Sequence, residues 1–495
     1  MRKGITKIKI PVKPNELSIS VIEKYLDSVF GVFETNSISI RQDYDKYCLD
    51  HKILKKVRVH DDSEVNNIVL IPDLNSMVEW KTGYVCGNPI KYSQTKDLTT
   101  DDMTYLNKYV RSSVKRAVDK EVCKWAYATG VGYYFIEPKS YAFDIDEESP
   151  FEIYCRDADT CCKVYSSYGG EKPLFDILYT TIEEIDEQGK KNTIKILDIY
   201  TESTLYTFKK EQFKQWVLVE NQDRGLYRYL PLVEKRPNSD GIGIVAKGES
   251  LQNAIDGVLS DCLDNVGDIV NEVWVYYNML LGDTPQEKAN FHKNARKSGA
   301  IEAIANNTEL QPKVETISTK LSLTEVMELF TIINQKFHSS LGVPMEMSST
   351  NSGGTTKQGS EVANGYDNAY NKAIDDINTF IVGDTQLLER IMWICKNTPN
   401  NKIDNISASD IEIKYVLNLT DNILTKTQSF VNLIQAGVPY SMALRICRLS
   451  NDAEAEGKQI EEYIANKKAE ELKRQQSLVK QTQQQENNNG NNSQE

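Results

Sequence analysis

Gly241-Ile242-Gly243-Ile244-Val245-Ala246 has the G-x-G-x-x-A spacing that, after a buried strand, lets backbone approach a dinucleotide pyrophosphate. The residues before it, Arg236-Pro237-Asn238-Ser239-Asp240, form a turn signal and not a strand, so the motif lacks its structural context. Gly353-Gly354-Thr355-Thr356-Lys357 lacks the G-x-x-x-x-G-K-[ST] spacing by which backbone amides cradle phosphates, which excludes a P-loop ATPase. Cys155, Cys161 and Cys162 are the densest thiol group, yet no second Cys-x-x-Cys pair or nearby histidine completes a tetrahedral zinc set, and they are read as structural. His51, His60, His292 and His338 stand in unrelated contexts, and no Ser/His/Asp or Cys/His set is legible. The expectation is a chain without catalytic residues, metal or cofactor.

Two other constellations suit contact with large partners. Residues 343–358 form a polar, Gly/Ser/Thr-rich loop in which Ser348, Ser349, Thr350, Asn351, Ser352, Thr355 and Thr356 can make brief hydrogen bonds to phosphates without reading sequence. Gly353 and Gly354 allow the backbone to rearrange, and Lys357 is the one cation of the group. The alternative is an exposed linker that touches nothing. Lys288, His292, Lys293, Arg296 and Lys297 recur at three- and four-residue spacing and share one helix face, either a docking surface for an acidic protein, a collar facing DNA or a solvated face.

The elements that must position these groups follow from periodicity. Val326, Leu329, Phe330, Ile333, Phe337 and Leu341 make an apolar stripe that predicts a helix before the loop; Val362, Tyr366, Tyr370, Ala373, Ile377, Phe380, Ile381, Leu388 and Ile391 predict another from Gln358 to about Cys395. At about 1.5 Å per residue the second rod is on the order of 57 Å long. A third helix is predicted from about Glu249 to Trp274, with Asp256, Asp261, Asp264, Asp268 and Glu272 on a face that either lines a channel or is wet. Between the helices lie strand-like VWVYYNMLL, a short basic helix at Pro285–Ser298, and strand-like AIEAIA and PKVETIST.

The first half predicts mixed α and β structure. Helices are expected at Ser18–Phe33 and Asp101–Ala128, and strands at Val131–Glu137, Leu174–Ile182, Thr193–Thr201 and Thr204–Lys209 in an antiparallel meander. Asp186-Glu187-Gln188-Gly189 supplies a turn; Lys163–Lys172 and Arg236–Gly243 are loop signals, the second a domain boundary. Ile411–Val416 is a strand returning to the first domain, followed by helices at Asn422–Ala436, Pro439–Leu449 and Asp452 to about Val479, with Gly437 as a C-terminal cap and Pro439 in a first turn. QTQQQENNNGNNSQE at the end is too polar to bury a core and is expected to be disordered.

Composition narrows the class. A length of 495 residues suits roughly three domains. With 71 acidic against 58 basic residues the formal charge is −13, so the average surface repels nucleic acid, and any DNA contact must be local or slippery. Nine scattered cysteines fit free thiols in a reducing compartment. MRKGITKIKIPVKP has no apolar signal core, and nowhere do about 18 apolar residues run together, so neither secretion by a signal peptide nor a membrane span is expected.

In order along the chain, TGYVCGNPIKYS at 82–93, ATGVGYYFI at 128–136, LPLVEKRPNSDGIGIVAKGESLQNAIDGVLSDCLDN at 230–265, the Gly342-Val343-Pro344 turn with its polar loop, and LIQAGVPYSMALRICRLSNDAEAEGKQIEEY at 433–463 resemble the portal proteins of tailed bacteriophages. The resemblance implies an α+β fold: a wing at 1–245, stem helices at 246–275 and 321–342 around a small α/β clip at 276–320, a tunnel loop at 343–358, a long helix with a segment returning to the wing at 359–418, a helical crown at 419–480, and a disordered polar tail at 481–495. It also implies a homo-oligomeric, dodecameric ring at the capsid vertex of the virion, assembled in the host cytoplasm. Its partners would be double-stranded DNA, bound transiently and without sequence preference, the terminase large subunit, head-tail adaptor proteins, and the major capsid and scaffolding proteins. The long Gln/Asn-rich tail departs from the family pattern. From the residues alone, a soluble helical scaffold or adaptor that never contacts DNA remains the alternative, and a closed ring with a central hole separates the two.

Overall fold

A computed structural model describes residues 4–57, 66–94, 101–139, 148–185, 191–211, 214–270, 273–298 except 280, 282 and 283, 311–317, 323–344, 357–399, 402–418, and 423–473 except 448, 451, 452, 454, 455 and 472. The chain divides at Tyr415/Val416 into two compact units. The first begins with β1 (Ile8–Ile10), α1 (Ile19–Tyr47), α2 (Asp73–Cys86), β2 (Lys91–Gln94), α3 (Asp101–Ser112) and α4 (Lys115–Thr129). Eight strands follow: β3 (Gly132–Pro138), β4 (Phe151–Arg156), β5 (Cys161–Ser166), β6 (Pro173–Ile185), β7 (Lys191–Tyr200), β8 (Thr204–Glu211), β9 (Val217–Asp223) and β10 (Leu232–Lys235).

The expected meander is present: β5 to β9 run antiparallel in sequence order, and β1 joins the far edge parallel to β5. Alternation decides which face is buried. Ile177, Leu197, Ile199 and Phe208 turn inward against Ile22, Leu26, Val29, Phe30 and Phe33 of α1. A second sheet, β10-β3-β4, is antiparallel throughout and packs in part against helices through Tyr134, Ile136, Phe151 and Val233.

Local chemistry explains where the sequence expectations shift. The stretch from Asp101 to Ala128 is two helices, because Val114 takes a left-handed φ of 54°. Just before it, the Ser112 and Ser113 hydroxyls donate to the carbonyls of Tyr109 and Val110, a competition with the helix ladder. Helix α1 runs past Phe33 to Tyr47; its later turns carry weaker helix formers, but Ile40 and Tyr47 are buried and Tyr44 stacks on Trp125 at 4.0 Å. Lys163 lies in β5 and not in a loop: it is buried, 3.3 Å from Asp176, and donates to the carbonyl of Leu232. Cys86 and Cys123 are joined in a disulfide, which corrects the free-thiol expectation for that pair; Cys161 and Cys162 are free and buried. The Asp186–Gly189 turn, His60, AIEAIA and the tail at 481–495 lie outside the described residues.

Glycines in the GIGIVA segment serve packing. A Cβ on Gly243 would stand 2.2 Å from the Ala128 carbonyl oxygen, and one on Gly130 would stand 2.2 Å from that of Gly241. Two backbones cross there at a separation that only glycine permits.

The remainder of the unit holds α5 (Ile244–Val270), β11 (Val273–Tyr277), α6 (Pro285–Ser298), β12 (Lys313–Ile317), α7 (Leu323–Leu341), α8 (Lys357–Asn397) and β13 (Ile411–Lys414). Helix α5 starts and ends earlier than its stripe suggests: Trp274 belongs to β11, paired with Thr316 of β12, as the β-branched and aromatic run Val-Trp-Val-Tyr-Tyr favours. Helices α5 and α7 pack on each other. Strand β13, two residues shorter than the predicted Ile411–Val416, pairs antiparallel with β2.

The second unit contains α9 (Ile423–Gln435), α10 (Tyr440–Cys447) and a helical segment over 456–471. Gly437, at φ 84°, makes the turn between α9 and α10, where Phe430 meets Tyr440 at 6.3 Å. Gly457 packs against Ser441, where a Cβ would fall 2.7 Å from the Ser441 Cα.

Candidate functional site

Helix α7 ends in a left-handed glycine, Gly342 at φ 68°, with Val343 N donating to the His338 carbonyl at 3.1 Å. The last carbonyls of a helix have no partner of their own. Here Lys372, from α8, donates to the Ser339 and Ser340 carbonyls at 3.2 and 2.8 Å. Its stem lies so close that a Cβ on Gly342 would fall 2.3 Å from the Lys372 Cδ. The departure point of the polar loop is therefore held by the helix to which the loop returns. Ser348, Ser349, Thr350, Asn351, Ser352, Gly353, Gly354, Thr355 and Thr356 lie outside the described residues; Lys357 is the first residue of α8.

Helix α8 is 41 residues long, about 60 Å, and is fastened at intervals. Asp376 pairs with Lys81 of α2 at 2.9 Å. One further stretch along, Asp384 pairs with Lys235 of β10 at 3.1 Å, and both side chains are fully buried. Tyr415 donates to Asp384, and the Lys235 ammonium also donates to Tyr134 Oη at 3.0 Å while facing the Phe380 ring at 4.9 Å. Burial pulls the Lys235 ammonium below its ordinary range, with Asp384 opposing. Arg390 donates to the Leu230 carbonyl at 2.9 Å. A Cβ on Gly383 would stand 2.8 Å from the Glu234 carbonyl oxygen, so helix and strand touch closely beside the ion pair.

The network extends through Tyr134, whose hydroxyl donates to Asp119 at 2.8 Å, to Lys115, 2.5 Å from the same carboxylate. Burial disfavours the Lys115 charge, but Asp119, Tyr92 and Asp384 around it hold the ammonium above its usual range.

The acidic face of α5 is neither bare nor simply wet. Gln252, Asp256, Ser260 and Asp264 lie four residues apart and accept hydrogen bonds from the backbone N–H groups of Leu74, Ile71, Val69 and Asn67 at 3.2, 3.2, 3.0 and 2.6 Å. Four helical residues rise about 6 Å, nearly the advance of two extended residues, so the helix face satisfies the alternate amides of Asn67, Val69 and Ile71, while Leu74, three residues on, lies in the first turn of α2. Asp256 also bonds His51 Nδ1 at 2.8 Å, and Lys56 pairs with Asp261 and Asp264 at 2.8 and 2.9 Å. The histidines are thus not all in isolated contexts: Asp73 lies near both His51 and His338, and burial raises its carboxyl against their pull. Sequence spacing shows the i, i+4 polar row but not its partner, 178 to 197 residues away. The Asp268 side chain and Glu272 lie outside the described residues.

The insert between α5 and α7 holds the β11–β12 pair and α6, whose N-terminus has a capping box: Glu287 N donates to Thr284 Oγ1 at 3.3 Å and Thr284 N to Glu287 Oε2 at 3.2 Å. Lys288 and Lys293 are exposed on α6; the side chains of His292, Arg296 and Lys297 lie outside the described residues, although their backbone is helical.

Among the described residues no cluster of His, Cys, Asp or Glu is arranged to hold a metal, and no helix is long and apolar enough to cross a membrane. The family model for phage portal proteins of the SPP1 Gp6-like type matches residues 29–471. The chain belongs to this phage portal family. Portal proteins are structural components of the capsid, so membership implies oligomeric assembly at the capsid vertex with capsid and packaging components. No curated protein matches the chain.

Proposed function

We propose that this portal chain is one subunit of a dodecameric ring that forms the DNA channel for genome packaging and ejection. In this reading 1–245 is the wing, 246–275 and 321–342 are stem helices, 276–320 is the clip, 343–358 is the tunnel loop, 359–418 is the long helix and return segment, and 419–480 is the crown. The observation that supports it most is that Lys372 of α8, the helix to which the loop returns, holds the last carbonyls of α7, where the loop departs. A loop that meets moving DNA needs a rigid base and a small polar tip, and Ser348 to Lys357 supply hydroxyls, glycines and a single cation. The surplus of acidic residues keeps phosphates from sticking elsewhere. The basic face of α6, with Lys288, His292, Lys293, Arg296 and Lys297, is the docking surface for the terminase large subunit and then for head-tail adaptors. Major capsid and scaffolding proteins surround the ring.

Electron microscopy with light-scattering mass tests the ring: about a dozen subunits around a hole wide enough for a duplex are expected, and a stable small oligomer without a hole, also in the presence of capsid and scaffolding proteins, overturns the reading. Deleting Gly353–Lys357 tests the loop; assembly is expected to survive while packaging or retention of DNA is lost, and normal packaging by the deletion removes the tunnel-loop role.

A further inference from the structure

Cys86 ends α2 and Cys123 lies in the middle of α4; both side chains are buried and their sulfurs are bonded. Helices α2 and α4 are also the seat of α8. Lys81 of α2 pairs with Asp376 at 2.9 Å, and its ammonium lies 5.3 Å over the Tyr127 ring of α4. That ring meets Phe380 of α8 edge-on at 5.5 Å. Asp119, also on α4, reaches the buried Lys235–Asp384 pair through Tyr134. One covalent bond therefore joins the two helices from which α8 is held.

The other seven cysteines are free. Cys161 and Cys162 are adjacent in β5, so their side chains point to opposite faces of the sheet and cannot pair. Burial pushes the Cys155, Cys161, Cys162 and Cys395 thiols above their ordinary range, which leaves little reactive thiolate. The bonded pair differs in access. Cys86 is the last residue of its helix, where local opening admits a small reagent, while Cys123 stays in the interior of α4. Seven free thiols suit reducing surroundings, in which a dithiol persists, whereas a component of the virion also meets oxidising ones. Unbonded cysteine packs as a small hydrophobe, so the same buried space accepts both forms.

We propose that the Cys86–Cys123 pair is a redox-responsive clamp on the seat of α8, a dithiol in reducing surroundings and a disulfide in oxidising ones. The oxidant is a small-molecule disulfide of the glutathione class. The Cys86 thiolate attacks one sulfur of that disulfide, forms a mixed disulfide and expels the first small thiolate. The Cys123 thiolate then attacks the Cys86 sulfur, closes the protein bond and expels the second. Two protein thiols are oxidised, one small disulfide is reduced to two thiols, and the two protons pass to them. Reduction runs the same steps in reverse. The closed clamp keeps α2 from parting from α4, so fewer motions release Asp376 and Asp384 together. The proposal does not depend on the ring reading.

The test equilibrates the full chain in reduced and in oxidised glutathione buffers, traps thiols by alkylation and counts them after denaturation. Nine thiols are expected in the reduced buffer and two fewer in the oxidised one, with peptide mapping placing the loss at Cys86 and Cys123. Hydrogen exchange in α8 over 376–384 should be about tenfold slower in the oxidised chain, and its melting temperature about 4 °C higher. Cys86→Ala should exchange like the reduced parent in both buffers. A thiol count that is the same in both buffers overturns the proposal, whether the pair stays open or stays closed. So does loss of thiols at a different pair, or equal exchange of α8 in the two states. If Cys86→Ala does not fold, the unaltered chain in the two buffers decides alone.

Discussion

Helices α5 and α8 are both long and both bind distant parts of the first unit, but they differ in chemistry where they are buried, the ion pairs of α5 to Lys56 lying beside a row of hydrogen bonds to backbone amides. Helix α8 is fastened by ion pairs in dry surroundings, Lys81–Asp376 and the fully buried Lys235–Asp384. Helix α5 is fastened by a row of hydrogen bonds in which Gln252, Asp256, Ser260 and Asp264 each hold one backbone amide of the 67–74 segment. A buried ion pair is all or none, since either partner left alone is a charge in low dielectric. A row of single hydrogen bonds can open one rung at a time, each worth about 0.5–1.5 kcal/mol net. The helix that carries the loop is therefore locked, and the helix that leads to the insert is zipped.

The comparison breaks most readily at Lys235. Lys235→Met leaves Asp384 buried with only the Tyr415 hydroxyl, and should cost about 3–5 kcal/mol in denaturant unfolding of the first unit. Replacing Asp384 by Leu in the same chain should recover much of this but not all, because Tyr415 and Tyr134 each lose a partner. If the single change costs no more than about 0.5 kcal/mol, within the range of an ordinary surface substitution, the lock is not what holds α8.

Asp256 comes next. Asp256→Ala leaves the buried His51 Nδ1, the Gln252 amide and the Ile71 N–H short of an acceptor, an expected loss of about 1–3 kcal/mol. Hydrogen exchange should quicken at Ile71 and Val69 while α8 stays protected; equal loosening of both helices would show that the two fastenings are one cooperative unit. Ser260→Ala, which frees Val69 N and the Val69 carbonyl that the Ser260 hydroxyl reaches at 3.5 Å, should cost about 0.5–1.5 kcal/mol and stay local.

How much of this was legible in the sequence depends on the range of the interaction. Period-3.6 stripes announced α6, α7 and α8 within a few residues, and β-branched alternation announced the meander, because both signals are local. The break at Val114 and the extension of α1 to Tyr47 were not legible, because packing against distant residues outweighs propensity there. Of the polar row on α5, only Asp256 and Asp264 were legible, within an acidic face with Asp261, Asp268 and Glu272 that suggested a channel lining or a wet surface; only the fold reveals Gln252 and Ser260 as members and residues 67–74 as their cover. Gly243 looked like part of a nucleotide fingerprint, yet its role is to let two backbones cross. For the loop, composition announces chemistry in Ser348–Lys357, and position announces its base at Lys372, which no motif marks.

The smallest expected effect sharpens the contrast by giving a surface fastening. Strand β1 has only three residues, Ile8–Ile10, and Lys7 just before it and Lys9 within it both reach Glu171. Hydrogen bonds from Lys7, then from Lys9, lower the Glu171 carboxyl from 4.5 to about 2. A depressed folded-state pKa gives stability that is complete above the unfolded value and fades as pH falls from about 4.5 toward 2. Because the partners are largely exposed, screening limits the contribution to about 0–1 kcal/mol, and added salt should reduce it further. Hydrogen exchange across that pH window, corrected for intrinsic rates, should show Ile8 and Ile10 losing protection in the unaltered chain but not in Glu171→Gln, which lacks the titrating group. If both chains lose protection alike, β1 is held by Ile8 and Ile10 in the core and by its pairing with β5, and the surface ions contribute nothing measurable.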